Sequence, residues 1–416
     1  FRRLCRELGA GLVCSEMVSA NALAYRNPKT ATMLRVCDDE HPVGVQILAP
    51  TPDVAEPAAQ AAAEAGADVV GVTLRMKDCA AGVSSNPGDG PRDSAVSCCA
   101  AGAEEMARVV CDGIGVPHHV VDCRAAFERD VLLPCWDEYA VGRTPSPCII
   151  CNERIKFGLL RRWAAGIGAG LMATGHYASV GGGAVRFLRP ADRRKDQTYF
   201  LCRVVPDRGL VFPLAGLEKT RVRAIAAEHG LAVADAPDSQ DACWASTEFG
   251  FSELLRRRFG GAARPGRFVD EQGRQVARHE GIHLYTVGQA RGFCIGDGRK
   301  HWVAAIDPRT ADITVTADPK NLMGSSMTVK DVVVAGGTVE SVCGIKGLAV
   351  VVRHGGEPVP VTCFELGDGR LHVEFDQPIR AVTPGQAAAF YDGGSLVAGG
   401  WIDDVGPEFE QRDIGK

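Results

Sequence analysis

"DVVGVTL" at residues 68–74 is an unbroken apolar run rich in β-branched side chains. Such a run predicts a strand covered on both faces, the kind built into parallel sheets. A Gly/Pro/Ser-rich loop follows at 82–97, then a helical pattern, "AGAEEMARVVCDGIG", at 101–115. A second strand, "PHHVVDC", comes next, at 117–123. Further on, "FGLLRRWAAGIGAG" (157–170) predicts a helix leading into "LMATGHYA" (171–178). Strands alternating with helices predict a parallel sheet with helices on both faces, and ligands bind such sheets beyond the carboxyl ends of the strands.

Upstream, "FRRLCRELGA" (1–10) predicts an amphipathic helix, "VGVQILA" (43–49) a strand and "DVAEPAAQAAAEAGA" (53–67) an Ala-rich helix. With residues 68–74 the last two have the order and length of a β-α-β unit. Beyond about residue 245 the pattern changes. "MTVKDVVV", "GLAVVVRH", "VPVTCFEL", "RLHVEF", "AAAFYDGG" and "SLVAGGWI" are short strand-like runs between Gly-, Asp- and Pro-rich turns. They predict one or two small β-barrels that present a surface rather than perform chemistry.

At 416 residues the chain is too long for one ordinary domain, and 46% hydrophobic with 23% charged residues is a globular composition. No apolar run approaches the ~18 residues of a membrane span, and the first residues lack a signal-peptide layout. The net charge of −5 argues against a globally basic nucleic-acid binder but leaves local basic patches, with "RPADRRKD" and "LLRRRF" as candidates. The 16 cysteines are scattered rather than regularly spaced, which predicts a reducing, cytoplasmic setting. Most of them, such as Cys5, Cys202 and Cys363, read as small buried hydrophobes.

Four stretches carry candidate chemistry. In "RTPSPCIICNERIKFG" (143–158), Cys148 and Cys151 are three residues apart. Asn152 reads as a helix N-cap with Glu153 in the first turn, and Ile155, Leu159 and Trp163 share one face. Cys151 is then expected at the positive end of the helix, where a thiol is acidified. A metal half-site, a redox pair, a nucleophile with a distant partner and a buried structural thiol all fit this stretch alone. Cys243 in "APDSQDACWAS" stands among polar residues on an expected loop, where core filling is less natural. "LMATGHYA" ends an expected strand in Thr-Gly-His, so Gly175 permits close backbone approach and His176 stands at the mouth of the sheet. "DRRKDQTYFL" (192–201) reads as a charged turn running into an aromatic strand, with Lys195 and Gln197 able to reach phosphate and sugar, or as a solvated loop.

In this order, "GRTPSPCIICNERIKFG", "ATGHYA", "DRRKDQTYFL", "FPLAGLEKTRVRAIAAEHGL", "PDSQDAC", "HEGIHLYTVGQARG" and "AVTPGQAAAFYDGG" resemble the bacterial and organellar tRNA-specific 2-thiouridylases, over about residues 69–405. The resemblance implies an α/β fold: a parallel-sheet ATP-pyrophosphatase-type (PP-loop) domain at 69–245, a central small β domain at 246–323 and a C-terminal tRNA-binding β-barrel at 324–405. It implies ATP with Mg2+ as cofactor. Its partners would be tRNA of the Lys, Glu and Gln isoacceptors and a sulfur-relay protein or cysteine desulfurase. It makes Cys243 the persulfide carrier and Cys151 the nucleophile, with a disulfide between them after turnover. Ser146, Pro147 and Cys148 then face the target base, Leu74 and Gly175 the nucleotide, and His176, Lys195, Asp196, Gln197, Arg353, His354 and Gln386 the tRNA. The family carries Asp or Cys where Cys148 stands and Asn where Ser146 stands.

The family's Ser-Gly-Gly-x-Asp-Ser-Ser phosphate loop has no match here. "ILAPTPDVAEPAAQ" (47–60) takes its place, with Asp53 near the family's Asp, and Pro50 and Pro52 remove N–H donors. Residues 1–68 instead resemble the opening of the FMN-dependent tRNA-dihydrouridine synthases, with Gln46 at a flavin-contacting position. They stop short of that family's catalytic segment, so no flavin is expected. Three readings follow: an ATP-dependent thiouridylase, a tRNA-binding protein with impaired activation, and a metal or iron–sulfur site drawing on Cys98, Cys99, Cys148, Cys151 and Cys243. The leading one uses no metal beyond Mg2+.

Overall fold

The computed structural model describes residues 13–14, 18–19, 43–44, 47–48, 69–77, 103–113, 116–228 and 250–406. The chain divides into two compact units: Phe1–Phe127 with Ile155–Thr198 and Pro206–Cys243, and Glu128–Arg154 with Tyr199–Val205 and Trp244–Lys416. The expected helices at 1–10 and 53–67, the loop at 82–97, and Gln46, Asp53, Cys98, Cys99 and Cys243 lie outside the described residues.

Four two-residue strands open the first unit: β1 (Val13–Cys14), β2 (Val18–Ser19), β3 (Val43–Gly44) and β4 (Ile47–Leu48). β1 pairs with β3 and β2 with β4, both in parallel. The described pairings of the 43–49 strand therefore run to residues 13–19. β5 (Gly71–Arg75) and β6 (His118–Asp122) form the parallel pair that residues 68–74 predict, with Leu74 opposite Val121. The crossover between them contains the helix Ala103–Gly113. Arg75 closes the end of β5 onto that helix through two bonds to the Glu104 carboxylate, 2.8 and 2.7 Å long. A Cβ at Gly71 would collide with the Cys111 sulfur of that helix, whose side chain would have to turn away.

The unit continues with β7 (Met172–Ala173), the hairpin of β8 (Ser179–Gly181) and β9 (Arg186–Leu188), and β10 (Leu210–Val211), which lies parallel to β7. Residues 192–201 depart from expectation. No aromatic strand forms there; two 3-10 turns, Arg193–Lys195 and Thr198–Leu201, take its place. Asp192 accepts from the Arg194 N–H at 3.1 Å, and Asp196 accepts from the Thr198 N–H at 2.9 Å and its hydroxyl at 2.6 Å. Side-chain caps of this kind override the strand preference of a Thr-Tyr-Phe run.

In the second unit, helix Phe251–Phe259 buries Leu255 and carries the arginine run expected as a basic patch. Arg256 and Arg257 are bound by Glu253 at 2.7 and 2.8 Å, and Arg258 by Glu128 at 2.6 Å. The Arg256 hydrogen bond holds the Glu253 carboxyl well below the usual range, so much of the positive charge is neutralised within the fold. A four-stranded sheet follows: β11 (Gly266–Val269), β12 (Gln275–His279), β13 (Trp302–Ile306) and β14 (Ile313–Thr316), in the order β12-β11-β14-β13. Phe268, Ile282, Tyr285, Val303 and Ile313 fill its core.

The last six strands are β15 (Met323–Val334), β16 (Leu348–Val351), β17 (Val359–Gly367), β18 (Arg370–Arg380), β19 (Ala387–Asp392) and β20 (Ser395–Gly406). They pair antiparallel in the order β15-β18-β17-β16-β19-β20, and β20 returns to β15, which closes the barrel. Its interior is a packed apolar core that includes Val329, Val350, Leu371, Val373, Phe390 and Ile402, each fully buried. Closure leaves no free sheet edge among these strands.

Candidate active site

The thiol-bearing helix is capped six residues earlier than expected, at Ser146 in place of Asn152. Ser146 lies outside the helical region at φ −113°, ψ 89°, and Pro147 occupies the first helical turn. Proline suits that position because its fixed φ is helical and its missing N–H is not needed. Asn152 has helical dihedrals, φ −61° and ψ −50°, and does not cap. Cys151 therefore sits within the helix Pro147–Cys151, buried at 7% exposure, while Cys148 is next to the helix start and exposed. The expected placement of Cys151 at the positive end is corrected: the residue there is Cys148. Residues Asn152–Leu159 continue in i→i+5 form, whose wider turn breaks the expected face. Ile155 is fully buried, whereas Leu159 and Trp163 are only half-buried.

Bonds to distant parts of the same unit fix this segment on both sides. Before it, Arg143 spans Glu138 (2.6 Å) and the carbonyls of Asp403 (2.8 Å) and Ile402 (2.9 Å) in β20. The Gln386 side-chain amide donates to the carbonyls of Thr144 (2.9 Å) and Pro145 (3.2 Å). The Thr144 N–H donates to the Pro384 carbonyl at 3.0 Å. Gly385, at φ +91°, lets the two chains come together; a Cβ there would stand 2.9 Å from the Thr144 backbone. After it, the Asn152 amide donates to the Phe200 carbonyl at 2.9 Å. The carboxylate of Glu153 meets Arg203 at 2.9 Å. Arg203 also donates to the Asp331 carbonyl and lies over the Trp401 ring, 5.4 Å from its centroid. A cavity of about 450 Å3 opens beside the segment, lined in part by Pro145, Ile150, Glu153, Arg154, Lys330 and Trp401.

In the barrel, Arg353 is exposed and donates to the Arg380 carbonyl at 3.5 Å. His354 stacks on Phe200 with ring centroids 4.4 Å apart. Burial, then the neighbouring Cys148, Glu138 and Cys151, push the Cys135 thiol far up.

The first unit holds the other expected residues. Leu74 is half-buried near the carboxyl end of β5, and Gly175 is exposed just after β7. Only Leu214, at 3.9 Å, lies within 4 Å of where a Cβ on Gly175 would sit, so that backbone is open to close approach. An apolar strand end and a bare glycine backbone fit the face of a nucleotide. His176 bonds Thr174 at 2.7 Å and packs against Phe157 and Phe212. Gln197 accepts from the Tyr177 N–H at 2.8 Å and returns its own N–H to the Tyr177 carbonyl at 3.0 Å, which ties the 192–198 turn to the His176 loop. Lys195 is half-buried, and Asp196 pairs with Arg189 at 3.3 Å. No group of three or more His, Cys, Asp or Glu able to hold a metal occurs among the described residues. No helix among them is long and apolar enough to cross a membrane.

The fold defines a class: a HUP-type nucleotide domain followed by two β domains. The tRNA methyl transferase HUP domain family matches residues 53–247, the tRNA methyl transferase PRC-barrel domain 253–317 and the Aminomethyltransferase beta-barrel domain 326–402. The dihydrouridine synthase (Dus) family matches residues 1–74. The tRNA-specific 2-thiouridylase of Carboxydothermus hydrogenoformans is 35% identical over 346 residues, 82% of this chain and 92% of that protein. That of Rhizorhabdus wittichii is 40% identical over 348 residues, covering 82% and 86%. The chain belongs to the tRNA-specific 2-thiouridylase family.

Sequence reasoning missed the supports of the thiol segment. Arg143 lies in the quoted motif but gave no sign of its partners about 260 positions away. Gln386 was expected only as a tRNA contact, and Arg203 not at all.

Proposed function

We propose that the chain 2-thiolates the wobble uridine, position 34, of tRNA. The observation that carries this reading is a cysteine segment held at both ends by the barrel-bearing unit, in a chain of this family. ATP, with Mg2+, is the co-substrate: the uracil O2 takes its adenylyl group, pyrophosphate leaves, and the adenylated oxygen later departs with AMP. Leu74 and Gly175 hold the nucleotide, and Ser146, Pro147 and Cys148 face the base. Cys243 carries the persulfide, received from a sulfur-relay protein or a cysteine desulfurase. The terminal sulfur attacks C2, and the Cys151 thiolate then attacks the Cys243 sulfur. The bond between that sulfur and the transferred one breaks, and 2-thiouridine and a Cys151–Cys243 disulfide remain.

His176, Lys195, Asp196, Gln197, Arg353, His354 and Gln386 serve the tRNA side, some by contact and others, such as Gln197 and Gln386, by holding the loops that make it. Drawing the base out of the anticodon stack costs about a few kcal/mol, which backbone and barrel contacts offset.

A second reading is a tRNA binder with impaired activation. Favouring it are Pro50 and Pro52 where a phosphate loop is expected, and the described pairing of β4 with β2. The experiment supplies unmodified Glu, Gln and Lys tRNA, Mg-ATP, cysteine and a cysteine desulfurase, and measures 2-thiouridine by nucleoside mass spectrometry. ATP-dependent product that disappears in Cys151→Ser supports the enzyme. Retained tRNA binding with no product in the unaltered chain supports the binder.

A further inference from the structure

We propose that Cys148 and Cys151 form a dithiol–disulfide couple in which Cys148 is the resolving thiol that returns Cys151 to its thiolate after each turnover. The exchange step rests on the reading of Cys151 given above; the couple itself rests on the segment's geometry. The two cysteines are three residues apart on one helical turn, Pro147–Cys151. Helical rise and radius place Cα atoms three residues apart at about 5 Å. Both are reduced thiols in this structure, and disulfides span Cα separations of about 4.4–6.8 Å, a range that includes this spacing.

The two differ in access as such a couple requires. Cys151 is buried, and Cys148 beside it is exposed. An outside dithiol can therefore reach Cys148 and not Cys151 directly. After burial, Cys148, Glu138 and Cys151 also act to raise the Cys135 thiol. Cys135 is fully buried and its thiol is pushed far up, so it is a poor attacking group.

The steps balance without an added oxidant. The Cys148 thiolate attacks the Cys151 sulfur of the turnover disulfide, the Cys148–Cys151 bond forms, and Cys243 leaves as thiolate. A dithiol reductant then attacks the exposed Cys148 sulfur, the bond to Cys151 breaks, and the reductant leaves oxidised. The oxidising equivalents come from the persulfide consumed in the transfer.

The test equilibrates the full chain, without tRNA or ATP, in mixtures of reduced and oxidised dithiothreitol. Remaining thiols are alkylated and the chain is digested with trypsin. Cleavage after Arg143 and Arg154 gives the peptide 144–154, "TPSPCIICNER", which holds both cysteines and no other. The expected result is a two-electron transition to a peptide without alkyl groups and about 2 Da lighter than the reduced form. The same transition is expected in Cys243→Ser and not in Cys148→Ser. A peptide carrying two alkyl groups in every mixture overturns the proposal. So does Cys148 alkylated while Cys151 is linked to the Cys243 peptide. A chain that shows the couple but makes no 2-thiouridine faults the thiolation reading alone.

Discussion

The segment that carries Cys148 and Cys151 and the turn that carries Gly175 and His176 are held in opposite ways. Arg143, Gln386, Asn152 and Glu153 tie the first to strands and turns more than 40 positions away, in part through charged groups. The second is held mostly by its neighbours: Thr174, an aromatic cluster and one reciprocal pair with Gln197. On the proposed function, sulfur transfer between two cysteines needs an attacking atom at a fixed position, and distant anchors would supply that. On the same proposal a nucleotide face needs open backbone, and a local turn with an exposed glycine would supply it. The difference predicts that damage to the anchors acts through stability and sulfur transfer, whereas damage to the turn acts through ATP.

The largest effect is expected at Cys151. In the thiolation assay Cys151→Ser should lower the rate by about 10^3-fold or more, because it removes the thiolate that breaks the Cys243 persulfide bond. Next is the anchor behind it. Arg203→Met leaves the Glu153 carboxylate without its partner, a pair whose side chains are 7% and 19% exposed. Removing one member of such a pair should cost about 3 kcal/mol in urea unfolding, and Glu153→Met added to it should recover most of the loss. A double variant as unstable as the single would mean that Arg203 acts through Trp401 and Asp331 instead.

Gln386→Ala strips donors from two carbonyls and should cost about 1–2 kcal/mol. If the turn differs from the anchors as described, Gly175→Ala should leave unfolding within about 0.5 kcal/mol of the parent and raise the ATP concentration needed for half-maximal rate by about tenfold. An equal loss of stability in both variants would erase the contrast.

The smallest effect is a pH dependence that belongs to the second unit. Burial holds His279 and His372 below their usual value. A histidine whose folded pKa is depressed resists protonation while the unfolded chain accepts it. Its contribution is thus complete above about pH 6.5 and is lost as the pH falls through the folded value. Melting temperature should be flat above neutrality and fall between about pH 6.5 and 5, less steeply in His372→Phe.

The sequence reveals the barrel well. The barrel strands read as short runs, alternating in β17 and continuously apolar in β16 and β19, between Gly- and Asp-rich turns, and the chain turns at Asp368 with Gly369 and at Gly393, all at positive φ. The parallel pair of β5 and β6 was readable for the same reason: local pattern decides local structure. What local pattern could not supply was the start of the thiol helix. Asn152 looks like a cap, yet Ser146, six residues earlier, is the cap and Pro147 starts the helix, and the Asn152 amide serves Phe200. The Thr-Tyr-Phe run misled similarly, because the carboxylate of Asp196 turns the backbone that β propensity would extend. Arg143, Gln386 and Arg203 were hidden for a different reason: each has a partner 128 to 260 positions away, and no spacing in one sequence encodes such pairs.

The most direct test of the anchored-segment account is amide hydrogen exchange of the full chain, comparing the peptide 144–154 with those of β19 and β20. The account predicts that the amides of residues 149–152 exchange nearly as slowly as the barrel strands, and that Gln386→Ala speeds them about tenfold while the strands stay slow. Exchange of 149–152 within seconds in the unaltered chain, or no response to Gln386→Ala, would contradict it.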